Sequence, residues 1–413
     1  MSKSEKNALG IVVSGGPAPG INGVIAAATI EARNRGIPVL GIHDGFRWIS
    51  EGNCDAIRPL DIPDVSRIHL RGGSILRTSR VNPTKREETL ANVVRSLKSV
   101  GIRWFVSIGG DDTAFAATRI AEMATGSIQV VHVPKTIDND LPLPGGIQTF
   151  GFETARHEGV SIVGRIMEDA RSTARWYFLV AMGRKAGHLA LGIGKAAGAT
   201  LSLIPEEFGD ERLRIAQIAD VIEGSIIKRR AMGREHGVVV LAEGLGERLD
   251  PADLLGIDSS ERDDYGNIRL SEVPLGDLLK TEVRSRFAER GIDVKIISKD
   301  VGYEIRCADP IPFDAEYTRD LGYGAAYYAF EGGTNAMITR LAGKIVPMAF
   351  DELLDPDTGR TRVRMVNTDS EAFKIARTFM IRMTPEDLKD AEWAERLAKA
   401  GATTVADLQA RFG

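Results

Sequence analysis

The sequence predicts an α/β fold in which parallel sheets are covered by helices on both faces, and three observations predict it. Short apolar, β-branched runs recur at residues 11–13 (IVV), 104–106 (WFV), 130–133 (VVHV), 177–180 (YFLV), 238–241 (VVVL) and 294–297 (VKII). Each is followed by a glycine-containing turn and then by a pattern of helical period, the order expected of βαβ units. The residues that follow the runs are polar or glycine-rich: Ser14-Gly15-Gly16-Pro17-Ala18-Pro19-Gly20, Gly109-Gly110-Asp111-Asp112, Pro134-Lys135-Thr136-Ile137-Asp138-Asn139-Asp140, Met182-Gly183-Arg184 and Ala242-Glu243-Gly244. In parallel sheets ligands bind just beyond the carboxyl ends of the strands, so these turns are the places to look for chemistry.

Length and composition narrow the function class. A chain of 413 residues makes two or three domains with more than one sizeable core. Its 43% hydrophobic and 27% charged residues are ordinary for a globular protein, and no uninterrupted apolar stretch is long enough for a membrane span. A formal net charge of -4 provides no field suited to nucleic acid. Cys54 and Cys307 lie far apart, and the start MSKSEKNALG lacks the apolar core of a secretory signal, so a cytoplasmic location is expected. Between about 249 and 274 the text turns acidic and loses periodicity, which reads as an exposed insertion. After Lys344 come a turn region, Leu354-Asp355-Pro356-Asp357, and a helical end.

The turns carry distinct chemistries. Gly15, Gly16 and Gly20 let backbone amides approach an anion, and a helix starting near Gly20 points its positive end at it. Without a ligand the same residues make a tight strand-to-helix turn. The Gly-Lys-Ser/Thr ending of a P-loop is missing, as is the spacing of a dinucleotide fingerprint, which excludes a nicotinamide-dependent oxidoreductase of that type. Gly192-Ile193-Gly194-Lys195-Ala196-Ala197-Gly198 imitates such a loop but reads as helix packing.

Gly109-Gly110-Asp111-Asp112-Thr113 places two carboxylates where a helix opens. Helix capping accounts for one of them. One carboxylate with phosphate oxygens and waters is also an adequate magnesium site, which makes Asp111 the metal candidate. The segment from Pro134 to Asp140 gathers an ammonium, a hydroxyl and carboxylates after an apolar strand. Asp138 there can take a proton from an attacking hydroxyl, although an Asx turn uses the same residues. Arg80, Arg175, Arg184 and Arg306 are the cations available to hold phosphates in line.

Six motifs in order, SGGPAPGIN, GGDDT, PKTIDND, AMGRKAGHLAL, LAEG and GYEIR, resemble those of the phosphofructokinase family from Gly10 to about Gly333. The resemblance implies two αβα Rossmann-like lobes with a cleft between them, and Mg²⁺ as cofactor. It implies a donor lobe over 1–149 completed by 306–345 and a sugar-phosphate lobe over 150–305, while the turn region and helical end over 346–413 read as an appendage. It implies fructose 6-phosphate as acceptor and fructose 1,6-bisphosphate as product. Carried over residue by residue, it gives Gly15 and Gly16 to the donor phosphate, Asp111 to Mg²⁺ and Asp138 to the sugar 1-hydroxyl as base. Thr136 and Ile137 join the substrate shell with Asp140 beside them. Met182, Gly183 and Arg184 match the sugar-binding turn, Glu243 a sugar-hydroxyl acceptor, and Tyr303, Glu304, Ile305 and Arg306 the segment that grips the 6-phosphate. Arg175 matches an arginine that crosses into a neighbouring subunit's site, which implies a homodimer or homotetramer. A second crossing arginine is expected five residues before Gly302, where this chain has Ile297.

Two departures from the ATP-using pattern resemble the pyrophosphate-dependent branch of the family. Asp112 stands where that pattern has glycine, and its carboxylate would repel a nucleotide phosphate. Like charges about 4 Å apart cost on the order of 4 kcal/mol at an effective dielectric near 20, roughly a thousandfold in affinity. Lys135 replaces a common glycine and offers a point charge to a bare pyrophosphate, with Arg80 beside it. Lys135, Asp112, Thr136 and Asp138 are therefore the expected catalytic group, with pyrophosphate as donor. The alternatives are an ATP-dependent 6-phosphofructokinase and a silent regulatory subunit that senses sugar phosphates.

Overall fold

The computed structural model describes residues 7–209, 211–254, 273–353, 356–357 and 361–413. Most of the acidic stretch between 249 and 274, and Leu354 and Asp355 of the expected turn, lie outside the described residues. The chain divides into two compact units, the first running through Ala155 and resuming over Tyr303–Arg364, the second spanning Arg156 to Gly302 and Met365–Gly413.

The first unit is built on β1 (Ala8–Val13), β2 (Val39–Ile42), β3 (Ile57–Leu60), β4 (Ile102–Gly109), β5 (Gln129–Thr136), β6 (Phe150–Gly151), β11 (Ala336–Leu341) and β12 (Lys344–Ala349). Their order is β12-β11-β5-β4-β1-β2-β3, with β6 pairing the end of β5. The pairs β2/β1, β1/β4, β4/β5 and β5/β11 are parallel, while β3 and β12 close the two edges antiparallel. Alternation along β1 decides what covers each face. Leu9, Ile11 and Val13 pack with residues of helices Ile21–Asn34 and Pro312–Phe330. Val12 turns the other way, into the core formed with helices Glu87–Ser99 and Asp111–Ala124. This is the period-two pattern of a sheet buried on both sides. The chain leaves β1 toward β2 on one side and reaches β4 on the other, so the carboxyl ends of β1 and β4 form a topological switch point.

The second unit holds an all-parallel sheet of β7 (Trp176–Ala181), β8 (Leu201–Leu203), β9 (Gly237–Ala242) and β10 (Ile296–Val301) in the order β10-β7-β9-β8. All six expected runs fall in or beside strands, the last beginning two residues late because Val294 and Lys295 precede β10. Helix His188–Ala197 carries the loop imitation noted above. A β-carbon on Gly194 would stand 1.9 Å from Ser202 Oγ on β8, so this glycine serves helix-to-sheet packing.

The tail differs from the appendage expected from 346. β12 pairs with β11 inside the first unit, whereas helices Glu371–Thr378, Ala391–Gly401 and Val405–Phe412 belong to the second. Ala376, Ala394, Leu397 and Leu408 share one core with Ile218, Ile222 and Phe287. The physical reason is helix Ile215–Ala231, whose buried side chains need a cover beyond the sheet. An ionic hub fixes that cover. Glu223, with its side chain 1% exposed, accepts from Arg290 (2.7 Å), Arg286 (3.1 Å) and Arg411 (2.7 and 2.8 Å). Burial alone would raise the Glu223 carboxyl, but hydrogen bonds from Arg411 and the surrounding guanidinium charges hold it at about 2. Among the described residues no helix is long and apolar enough to cross a membrane.

Candidate active site

The turn after β1 is stitched to the segment that carries Arg80. Ser14 Oγ and Gly15 N both donate to the Ser79 carbonyl, at 3.1 and 2.9 Å, and Thr78 Oγ1 donates to the Gly15 carbonyl at 2.7 Å. Gly15 sits at φ 86°, where a side chain is strained. Its ideal β-carbon would lie 3.4 Å from Lys135 Nζ, and that of Gly16 3.5 Å from Arg306 and 3.8 Å from Arg80. Lys135 Nζ donates to the Gly16 carbonyl. Three cations separated widely in sequence therefore converge on two glycines, just before the N-terminus of helix Ile21–Asn34. Such a cradle suits a multiply charged anion.

Asp111 and Asp112 are the first two residues of helix Asp111–Ala124, and the N-cap Gly110 offers no side-chain cap. Their carboxylates thus lie at the positive end of the helix. A β-carbon on Gly109 would stand 2.2 Å from Thr113 Oγ1, so the approach to this helix requires glycine. Below the turn lies His132, a residue the sequence reading passed over. It is fully buried; its Nε2 donates to the Gly109 carbonyl (3.1 Å), which leaves Nδ1 to accept from the Ser107 hydroxyl (2.8 Å). Burial pushes the imidazole down to about 3, so it is a neutral strut at physiological pH. Among the described residues no three His, Cys, Asp or Glu side chains group as a metal cage. A hard cation here would rest on one or two carboxylates and complete its shell with phosphate oxygens and waters, a donor set that fits magnesium.

Lys135 and Thr136 end β5, both nearly buried. Thr136 Oγ1 accepts from Asp138 N at 2.9 Å, and Thr149 Oγ1 donates to the Thr136 carbonyl at 2.8 Å. Ile137 is buried, and Asn139 adopts a left-handed φ of 57°. Arg364, which sequence reasoning also missed, closes over this loop. Its Nε and Nη2 donate to the Asn139 carbonyl at 3.1 and 3.0 Å, Nη2 also to Asn139 Oδ1, and Nη1 to the Ile147 carbonyl at 2.8 Å. Only the distance along the chain hides it, since a lone arginine 225 residues away carries no local signal.

Tyr303, Glu304, Ile305 and Arg306 all fall in the first unit. Tyr303 is 60% exposed, and the Arg306 guanidinium lies 4.6 Å from the centre of its ring. Burial and the nearby Arg80 press Arg306 below its ordinary value, with Asp138 among the groups that oppose them. This segment therefore meets the β1 turn and the Asp138 loop within one unit.

The second unit presents a separate constellation. Met182, Gly183 and Arg184 follow β7, and Glu243 follows β9. Glu243 Oε1 accepts from Gly183 N (3.1 Å) and Arg184 N (2.8 Å), so one carboxylate oxygen is engaged in shaping the turn. Glu206, another residue without a sequence signal, does the same for Gly187 N at 2.9 Å. Arg175 precedes β7 and so lies at the opposite end of the strand from Met182, roughly 20 Å away for a strand of that length. One chain does not bring these two together.

The phosphofructokinase family model matches residues 8–329. The chain belongs to the phosphofructokinase family. A pyrophosphate–fructose 6-phosphate 1-phosphotransferase of Thermotoga maritima is 53% identical over 392 residues, 93% of each chain. One from Naegleria fowleri is 48% identical over 413 residues, covering 98% of this chain and 94% of its own. Among solved structures, a pyrophosphate-dependent phosphofructokinase from Nitrosospira multiformis matches at a TM-score of 0.67 with 19% identity, over 96% of this chain and 92% of that one. A Pichia pastoris phosphofructokinase matches at 0.66 with 22% identity over 96% of this chain, which spans 37% of the yeast chain's length. At those identities the two structures establish the phosphofructokinase fold.

Proposed function

We propose that this phosphofructokinase transfers a phosphoryl group reversibly from pyrophosphate to the 1-hydroxyl of fructose 6-phosphate, giving fructose 1,6-bisphosphate and phosphate. The observation that carries the donor is the convergence of Lys135 and Arg80 on Gly15 and Gly16, within the unit that also holds Asp112. It suits a compact polyanion with no nucleoside. The names of the two relatives at 53% and 48% identity support the same reading.

In this reading Lys135, Arg80 and the Gly15-Gly16 turn hold pyrophosphate, with Thr136 and Ile137 lining the approach. Asp138 takes the proton of the 1-hydroxyl as the oxygen–phosphorus bond forms and the bridging phosphorus–oxygen bond breaks; the departing group leaves as phosphate. Asp111 would hold Mg²⁺, which supplies charge neutralisation on the transferring phosphoryl group. Met182, Gly183, Arg184 and Glu243 bind the sugar, and Tyr303, Glu304, Ile305 and Arg306 hold its 6-phosphate. Arg175, at the far end of β7, completes the site of a neighbouring copy in a homodimer or homotetramer. Mixing inactive Arg175→Ala and Asp138→Ala proteins should then restore part of the activity.

The deciding test is fructose 1,6-bisphosphate formation with Mg²⁺ and either pyrophosphate or ATP at matched concentrations. Turnover with pyrophosphate alone supports the proposal. Turnover with ATP alone overturns the donor, and none with either overturns the enzyme.

A further inference from the structure

We infer that Arg364 is a positioning residue that fixes the Asp138 loop for proton transfer. The inference rests on the reading of Asp138 as the base. Arg364 lies beyond residues 8–329, the part matched by the family model. Its guanidinium nevertheless reaches three acceptors of that loop region: the Asn139 carbonyl, Asn139 Oδ1 and the Ile147 carbonyl. Its own backbone N–H donates to the Asp140 carbonyl at 2.6 Å. On the other side, Thr149 N donates to Asn139 Oδ1 at 3.1 Å and Thr149 Oγ1 to the Thr136 carbonyl.

Asp138 is thus flanked by two held residues. Thr136 accepts its amide, and Asn139, whose left-handed conformation asparagine tolerates better than most non-glycine residues, is held there by Arg364 and Thr149. The planar fork of arginine serves acceptors in several directions at once; a lysine ammonium in the same place cannot span the Asn139 and Ile147 carbonyls together. Without the fork, the Asn139 and Ile147 carbonyls in a half-buried site lose this donor, Asn139 Oδ1 is left with Thr149 N, and the loop relaxes. Misplacing a reacting group by about 1 Å costs on the order of a hundredfold in rate, and the loss falls on kcat because the phosphate-binding cations are untouched.

The experiment uses the full-length chain as wild type, Arg364→Ala and Arg364→Lys. It reads kcat and KM with pyrophosphate, and amide hydrogen exchange over residues 136–149 without substrate. Expected are faster exchange in that segment and a fall in kcat of about ten- to a hundredfold with each KM within about threefold. Added guanidinium should restore part of kcat to Arg364→Ala but not to Arg364→Lys. Unchanged kcat overturns the inference, as does a kcat loss with unchanged exchange, or one that follows a general fall in melting temperature with no rescue. Should Arg364→Ala not fold, Arg364→Lys carries the kinetic and exchange readouts. A wild type inactive with pyrophosphate sinks the functional reading instead, while the exchange result still decides whether Arg364 holds the loop.

Discussion

The two units solve the problem of shaping a ligand-facing turn in opposite ways. After β1 the turn at Gly15-Gly16 is met by positive side chains, Lys135 beside Gly15 and Arg306 and Arg80 beside Gly16. After β7 the turn at Gly183 is captured by a negative one, Glu243, whose single oxygen accepts two successive amides. Both glycines have positive φ, 86° and 153°. The first arrangement concentrates charge for a ligand to neutralise, and the second spends its charge internally on the shape of the backbone. A donor that is mostly phosphate suits the first, and a hydroxyl-rich sugar suits the second.

Chemistry should depend on the first unit more steeply than on the second. Asp138→Asn keeps the size of the side chain and removes the proton acceptor, so kcat should fall about a thousandfold while both KM values stay within about threefold. Steady-state kinetics with pyrophosphate checks this. Turnover near the wild-type value would remove Asp138 as the base and with it the asymmetry between the units.

Acid should also separate the two units. His132 is held at about 3 against an ordinary 6.5, so below pH 6.5 the unfolded chain binds a proton that the native first unit refuses. Stability is therefore full above pH 6.5 and is lost as pH falls toward 3, by up to about 4–5 kcal/mol. Glu223 in the second unit is held at about 2 against 4.5, so its contribution is full above pH 4.5 and is lost between 4.5 and 2. Between pH 6.5 and 4.5 only the first loss operates for this pair. Thermal melts over that window should show a pH slope that His132→Asn flattens and Glu223→Gln leaves in place. Equal slopes in all three proteins would mean that His132 does not govern stability in this window.

Single substitutions in the two turns should be distinguishable by substrate. Lys135→Met removes a cation from the β1 turn and should raise the KM for pyrophosphate about ten- to a hundredfold, with that for fructose 6-phosphate little changed. Glu243→Gln keeps an acceptor for Gly183 and Arg184 but loses its charge, and should raise the sugar KM by about three- to tenfold instead. Initial-rate measurements with each substrate varied separate the cases, and a Lys135 variant that weakens both substrates equally would argue for general misfolding of the turn.

Legibility from sequence followed locality. Six of the strands announced themselves through runs such as 238–241, and the turns after them through glycine and aspartate, because both signals are contiguous, whereas short or edge strands such as β2, β8 and β12 gave no such run. His132 was hidden because a histidine inside a VVHV run looks like any core position until Ser107 and the Gly109 carbonyl are seen on its two nitrogens. Arg364 and Glu206 were hidden because each acts on backbone atoms far away in sequence, which leaves no pattern. The tail read as an appendage for a related reason. Its apolar positions show a helix face, but the partner face lies on helix Ile215–Ala231, far upstream.

The smallest expected effect concerns donor choice. Asp112→Gly deletes a carboxylate from the first turn of helix Asp111–Ala124. Stability should fall by about 1–2 kcal/mol, from the lost interaction with the helix end and the entropy of a glycine in the helix. Activity with pyrophosphate should fall severalfold, and activity with ATP should rise from undetectable to measurable without overtaking it. The gain is limited because removing a repulsion admits a nucleotide without creating contacts for its base, and Lys135 still occupies the space beside Gly15. If ATP use does not rise at all, the exclusion lies with Lys135 or with the shape of the turn. The double variant Asp112→Gly with Lys135→Gly then decides between them: recovery of ATP use there assigns exclusion to the lysine, and continued refusal assigns it to the backbone held by Ser79 and Thr78.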